Sequence, residues 1–260
     1  MDEYKSTKYA ELVERVKQKY RNHPVCTDKL ELGWCDLLPG EDLCQEINLW
    51  TYWQGWGYTE HTPHIRYMLI GQDFGPPEKE EAKGTIANVR EMNKGNDVMF
   101  HEHVDLSASD SQTDFNLIKY FSLIGKPDIH KNRYSDLFFC NCNLGYRKGN
   151  YSGNMTRRVL ENDSQEMKEL VDILQPENII CLGLDTSVVV IRTLIDAKFS
   201  CNNFSGLIGD GSPYQYGDTY IYPVAHPGYW GTMNRGVNNV DVRNDITKVN
   251  ADAIVNTVNP

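Results

Sequence analysis

Three polar residues stand at the carboxyl ends of three apolar runs, and their chemistries complement one another. Tyr67-Met68-Leu69-Ile70-Gly71-Gln72 leads to Asp73, Leu137-Phe138-Phe139-Cys140 to Asn141, and Tyr220-Ile221-Tyr222-Pro223-Val224-Ala225 to His226. A carboxylate can orient water or stabilise a developing cation. A carboxamide presents a donor and an acceptor to a polar ring edge, and an imidazole can donate to a developing oxyanion. Each residue alone is ordinary: an Asp after Gly-Gln suits a turn, and a strand-end Asn commonly bonds nearby backbone. Three of them at corresponding places are harder to assign to chance.

The elements that must position them follow from periodicity. Apolar runs bounded by Gly, Pro and Asn predict buried strands at 67–70, 136–144, 178–183 and 220–227. Helical spacing appears from about Tyr9 to Tyr20, where His23-Pro24 stops it, and again from Thr113 or Asp114 to Ile124, closed by Gly125. Asp163 followed by Glu166 forms a capping-box pattern before Met167, Leu170, Val171 and Leu174, and Ser187 to Ile195 predicts a further helix. Strands alternating with helices imply a parallel sheet, which brings every strand's carboxyl end to one edge, where ligands sit in α/β folds. The expectation is an α/β fold: a three-layer α/β/α sandwich with a central four-stranded, mainly parallel sheet. Residues 1–63 would form an N-terminal helix and an aromatic-rich layer packed on a domain spanning 64–260, as one compact unit.

Several stretches permit more than one reading. Trp34, Trp50, Tyr52, Trp53, Trp56 and Tyr58 fall in a segment, 26–63, with no sustained period, which reads as a loop-rich layer or as a base-stacking platform. The polar stretch 76–112 has the length of a lid, and His101-Glu102-His103 within it reads as solvated surface more readily than as a metal site.

Composition narrows the functional classes. The chain has 260 residues, 40% hydrophobic and 24% charged, with no apolar run of membrane-spanning length. The opening Met1-Asp2-Glu3-Tyr4-Lys5 lacks the apolar core of a signal peptide, so cytoplasmic residence is expected. Seven cysteines without a C-x-x-C pair argue against a disulfide framework or a zinc module, and neither a metal nor a cofactor is expected. A net charge of −10 weighs against an extensive, sequence-independent grip on duplex DNA, while leaving room for a local basic strip. A carboxylate, an amide and an imidazole on one rim suit cleavage of a glycosidic bond to a planar heterocycle.

At this point the chain resembles the uracil-DNA glycosylase superfamily. Gly71-Gln72-Asp73-Phe74-Gly75 is similar to its first motif: Gln72 and Asp73 follow the best-known branch, and Gly75 follows branches carrying Gly-Glu-Ala-Pro-Gly. Asn141 with Leu144 and Arg147-Lys148-Gly149 resembles the Leu-Leu-Asn strand and the loop beyond it. Gln175-Pro176-Glu177-Asn178-Ile179-Ile180-Cys181-Leu182-Gly183 resembles the Lys-Pro-x-Val-Ile-x-x-Leu-Gly stretch of bacterial branches, and His226-Pro227-Gly228 the His-Pro-Ser motif. The likeness covers about residues 64 to 235, with order and spacing in agreement.

The resemblance implies a DNA N-glycosylase that flips its target nucleotide into a pocket. In that reading Asp73 orients the attacking water, and Asn141 reads the N3-H and O4 edge of uracil. Neutral His226 donates to O2. Gln72, Phe74 and Gly75 complete the base pocket. Arg147, Lys148, Tyr229, Trp230 and Arg235 meet DNA, with Tyr229, Trp230 or Met233 filling the gap the base leaves. Gly75 stands where the best-known branch has a tyrosine that excludes the thymine methyl, so 5-substituted uracils are admitted. Gly228 lacks the hydroxyl of the usual serine, Phe74 and Phe100 both remain candidates for the stacking ring, and the cysteines do not suit an iron–sulphur cluster. The implied partner is uracil-containing DNA, single-stranded or otherwise accessible, and the implied state is a monomer. Two other readings stay open: a catalytically weak nucleic-acid or nucleobase-binding module, and a glycosidase acting on nucleosides outside DNA.

Overall fold

Each of the four apolar runs becomes a strand of one sheet, because each is long enough to be buried on both faces and is cut off by a turn residue. In the computed structural model, residues 3–34, 64–73, 98, 112–132, 135–148, 153–209 and 211–228 are described. In chain order the elements are α1 (Glu3–Asn22), β1 (Val25–Thr27), β2 (Leu30–Gly33), β3 (Tyr67–Gly71), α2 (Gln112–Leu123), β4 (Leu137–Asn141) and β5 (Tyr146–Arg147). They are followed by α3 (Arg157–Leu160), α4 (Ser164–Leu174), β6 (Asn178–Leu182), α5 (Leu184–Leu194), α6 (Phe204–Ile208), β7 (Tyr214–Tyr216) and β8 (Thr219–Val224). Among the described residues no helix is long and apolar enough to cross a membrane.

The main sheet runs β4-β3-β6-β8-β7, with β4, β3, β6 and β8 parallel and β7 antiparallel at the edge. It therefore has five strands, correcting the expected four. β7 escaped periodicity because it is three residues long with Gln215 at its centre. A local sign was present: Tyr216 pairs with Thr219 across the two-residue loop Gly217-Asp218, and Gly217 takes the positive φ such hairpin turns require. A second, three-stranded sheet β1-β2-β5 is antiparallel throughout. Residues 25–33 thus form a hairpin rather than the loop expected from residue 26 onward, and residues 35–63 lie outside the described residues.

Alternation along the parallel strands sends side chains to two clusters. Met68, Ile70, Phe138, Cys140, Ile179, Cys181 and Ile221 pack with Leu12 and Val16 of α1, Met167 and Leu170 of α4, and Val189 and Val190 of α5. Tyr67, Leu69, Leu137, Ile180, Leu182, Tyr222 and Val224 pack instead with Leu117, Tyr120 and Phe121 of α2. So α2, which links β3 to β4, and α5, which links β6 to β8, bury their apolar stripes against different sets of strand residues. Connections that leave neighbouring strands toward opposite faces open a crevice between the strands' carboxyl ends, here those of β3 and β6.

Two helix ends deserve a physical account. After α2, Gly125 adopts φ 76° and Lys126 N–H returns to the Phe121 carbonyl at 2.8 Å, the left-handed closure expected of a C′ glycine. At α4 the expected capping box is absent. Asp163 precedes the helix, but its side chain makes no cap bond, because the carboxylate is held elsewhere. It accepts from Tyr20 Oη at 2.5 Å and from Leu144 N–H at 2.7 Å, and it pairs with Lys19 Nζ at 2.9 Å.

Candidate functional site

Strand register sets the first side chain. Gly71, the last residue of β3, pairs with Asn141, the last of β4. The two chains stay together past their ends, with Cys142 N–H bonding the Gly71 carbonyl at 2.8 Å and Asn143 N–H the Gln72 carbonyl at 3.2 Å. The Asn141 carboxamide folds over Gly71 so closely that a Cβ there would collide with Oδ1. Asn141 is only 6% exposed.

The close approach makes Gly71 a test of how Asn141 is held. Gly71→Ala inserts a methyl where Oδ1 lies, and overpacking of this kind costs about 1–3 kcal/mol. The expected outcome is a stability loss of that size in urea denaturation. An unchanged midpoint would show that the amide does not rest on Gly71.

Asp73 follows β3 by two residues and is part-buried. Its Oδ2 accepts from Nε of Arg147, and Arg147 Nη1 donates to the Gly153 carbonyl. The pair lies inside the fold: the Arg147 side chain is 4% exposed and that of Asp73 12%. Arg147, expected to meet DNA, is thus engaged within the protein. Lys148, expected beside it on DNA, turns its ammonium to the Trp34 carbonyl at 2.9 Å.

His226 follows β8 by two residues. Gly183 N–H bonds the Val224 carbonyl at 2.8 Å, which places His226 Cβ 3.6 Å from where a Gly183 Cβ would be. The His226-Pro227-Gly228 turn is clamped from α2, where Asn116 Nδ2 donates to the Pro227 carbonyl at 2.5 Å. Gly228 N–H donates to His226 Nδ1 at 3.0 Å, so Nδ1 is an acceptor and the neutral ring carries its proton on Nε2. Burial pushes the imidazole below its ordinary 6.5, and the Asp73 carboxylate opposes that shift without reversing it. Asp73 and His226 are therefore within electrostatic reach of each other.

The direction of this shift makes a pH prediction. Near pH 6.5 the unfolded chain takes up a proton at His226 that the folded chain still refuses, so the unfolded state binds more protons in that window. Stability from this group is complete above pH 6.5 and is lost as pH falls toward the folded value. The C2–H resonance of His226 should titrate with a midpoint below 6.5, and a midpoint at or above that value would contradict the burial argument.

Gln72 lies at the same rim, its carbonyl occupied by Asn143. Phe74, Gly75, Tyr229, Trp230, Met233 and Arg235 lie outside the described residues, as do Phe100, His101 and His103. Among the described residues no group of three His, Cys, Asp or Glu side chains stands together to hold a metal. Sequence reading passed over Asn116, Gly183 and Asp163 as parts of the site. Gly183 had a legible sign, a glycine closing a buried strand before a helix, and it does take φ 94°. Asn116 had none, since an Asn in the second turn of an amphipathic helix is indistinguishable from a surface residue. Comparison with known proteins finds neither a family model nor a curated protein that matches this chain.

Proposed function

We propose that this chain is a uracil-DNA glycosylase-like hydrolase that cleaves the N-glycosidic bond of a flipped uracil or related base in DNA. The observation that carries the reading is the Asn141 carboxamide, folded over Gly71 at the carboxyl end of β4, on the same sheet edge as Asp73 and a neutral His226. Asn141 pairs with the polar edge of the base. His226 donates from Nε2 to the oxygen on which negative charge gathers as the base departs. Asp73 orients water toward the sugar carbon, where the new C–O bond forms as the C–N bond breaks. The base leaves with the electron pair of that bond and takes up a proton. The two clusters on the main sheet support a three-layer α/β/α arrangement around its parallel strands. A preference for single-stranded or otherwise accessible uracil accords with the net charge of −10, and the reading takes the protein as a cytoplasmic monomer.

Purified full-length chain incubated with a uracil-containing oligonucleotide should release free uracil and leave an alkali-labile abasic site. No release from single or double strands would overturn the proposal. The Arg147–Asp73 ion pair favours one second reading, a nucleobase-binding module with weak or no catalysis, because a buried guanidinium already neutralises the carboxylate. Binding of the oligonucleotide without turnover would select it.

A further inference from the structure

The ion pair also gives a function to a part of the chain whose purpose the sequence leaves obscure. Arg147 is the last residue of β5, where it pairs with Leu32 of the β1–β2 hairpin. Lys148 N–H continues the ladder to the Glu31 carbonyl at 2.9 Å, and Tyr146 packs edge-on against Trp34 with ring centroids 5.5 Å apart. The backbone carrying Arg147 is therefore set by residues 30–34. From that anchored position one planar guanidinium reaches two acceptors, Asp73 Oδ2 through Nε and the Gly153 carbonyl through Nη1. Held at Nη1 by the Gly153 carbonyl, the planar guanidinium presents Nε–H to the Asp73 carboxylate from a fixed direction, which a freely rotating lysine ammonium does not.

We propose that Arg147 is a positioning residue, anchored by the β1–β2–β5 sheet, that fixes the orientation of the Asp73 carboxylate at the rim of the parallel sheet. As a statement about catalysis this rests on the glycosylase reading. The N-terminal hairpin is then a working part of the site. Rotating a water-orienting group out of place raises the barrier without weakening base binding, and misplacement on the scale of an ångström costs about 100-fold in rate.

The test uses the full chain and four variants: R147Q, R147K, D73N and the double variant R147Q/D73N. In single-turnover release of uracil, R147Q should lower the rate about 100-fold with oligonucleotide affinity unchanged, R147K should recover only part of it, and R147Q should cost nothing further in the D73N background. Losses that multiply in the double variant, or a change confined to affinity, would overturn the proposal. Should R147Q fold poorly, wild type and D73N suffice: the Arg147 Nε–H resonance, assigned by its absence in R147K, should move in D73N, and an unmoved resonance overturns the pairing. If wild type releases no uracil, the glycosylase reading fails on its own, and this resonance alone decides whether Arg147 holds Asp73.

Discussion

Replacing His226 by alanine should slow uracil release about 100- to 1,000-fold in single-turnover reactions, the range found when one preorganised donor to a developing oxyanion is removed. The size follows from the site. The neutral ring keeps its proton on Nε2 because Nδ1 is occupied by Gly228 N–H, so the donor exists before the base arrives and needs no reorganisation. The variant should remain folded, since among the described residues the ring's hydrogen bond is the one to Gly228, in a part-buried turn that Asn116 clamps independently. A loss below about tenfold in the folded variant would show that His226 faces something other than the departing base. His226→Gln, which retains an N–H donor, should lose less than His226→Ala.

The largest effect on stability is expected at Asp163. Its side chain is completely buried (0% exposed), paired with Lys19 and accepting from Tyr20 Oη and Leu144 N–H. Burial together with the adjacent carboxylate pushes the Tyr20 hydroxyl far above its ordinary range, so it stays a donor at every working pH. Asp163→Ala removes the short acceptor of the buried Tyr20 hydroxyl, leaves the Leu144 N–H without its acceptor and takes from Lys19 its inner partner. Lys19 keeps Glu166, so the loss comes from the buried donors left without their acceptor, at about 1–3 kcal/mol each, and urea denaturation should show a loss of that size. Asp163→Asn, which keeps an acceptor oxygen, should cost less. The consequence reaches the site, because Leu144 lies in the short loop between Asn141 and Arg147. A loss under about 1 kcal/mol would mean that the network does not hold that loop.

The same residues show what could be read in advance and what could not. β3, β4, β6 and β8 were legible because each is an uninterrupted apolar run cut off by a polar or glycine residue, and their polar ends could be placed on one edge by topology alone. β7 and the β1–β2 hairpin were not, since three or four residues are too few for a period to emerge. Asp163 shows how a local pattern misleads: Asp163 with Glu166 satisfies the capping-box spacing, yet the carboxylate turns to Tyr20, 143 positions away. Arg147 shows the same thing at the site. A basic residue in a glycine-punctuated loop reads as a DNA contact, whereas its partner Asp73 is 74 positions distant and the strand it pairs with is β2, through Leu32. Long-range electrostatic partners are fixed by tertiary packing, and neither period nor propensity carries them.

In the proposed function, Asn141, His226 and Asp73 enclose one flat polar ring. A crystal structure of the chain with an abasic-site oligonucleotide and uracil tests it most directly. Uracil should lie at the carboxyl edge of β3 and β4, its N3-H and O4 edge on the Asn141 carboxamide, its O2 on His226 Nε2, and the sugar beside Asp73. Uracil bound elsewhere, or bound without a hydrogen bond to the Asn141 amide, would contradict it.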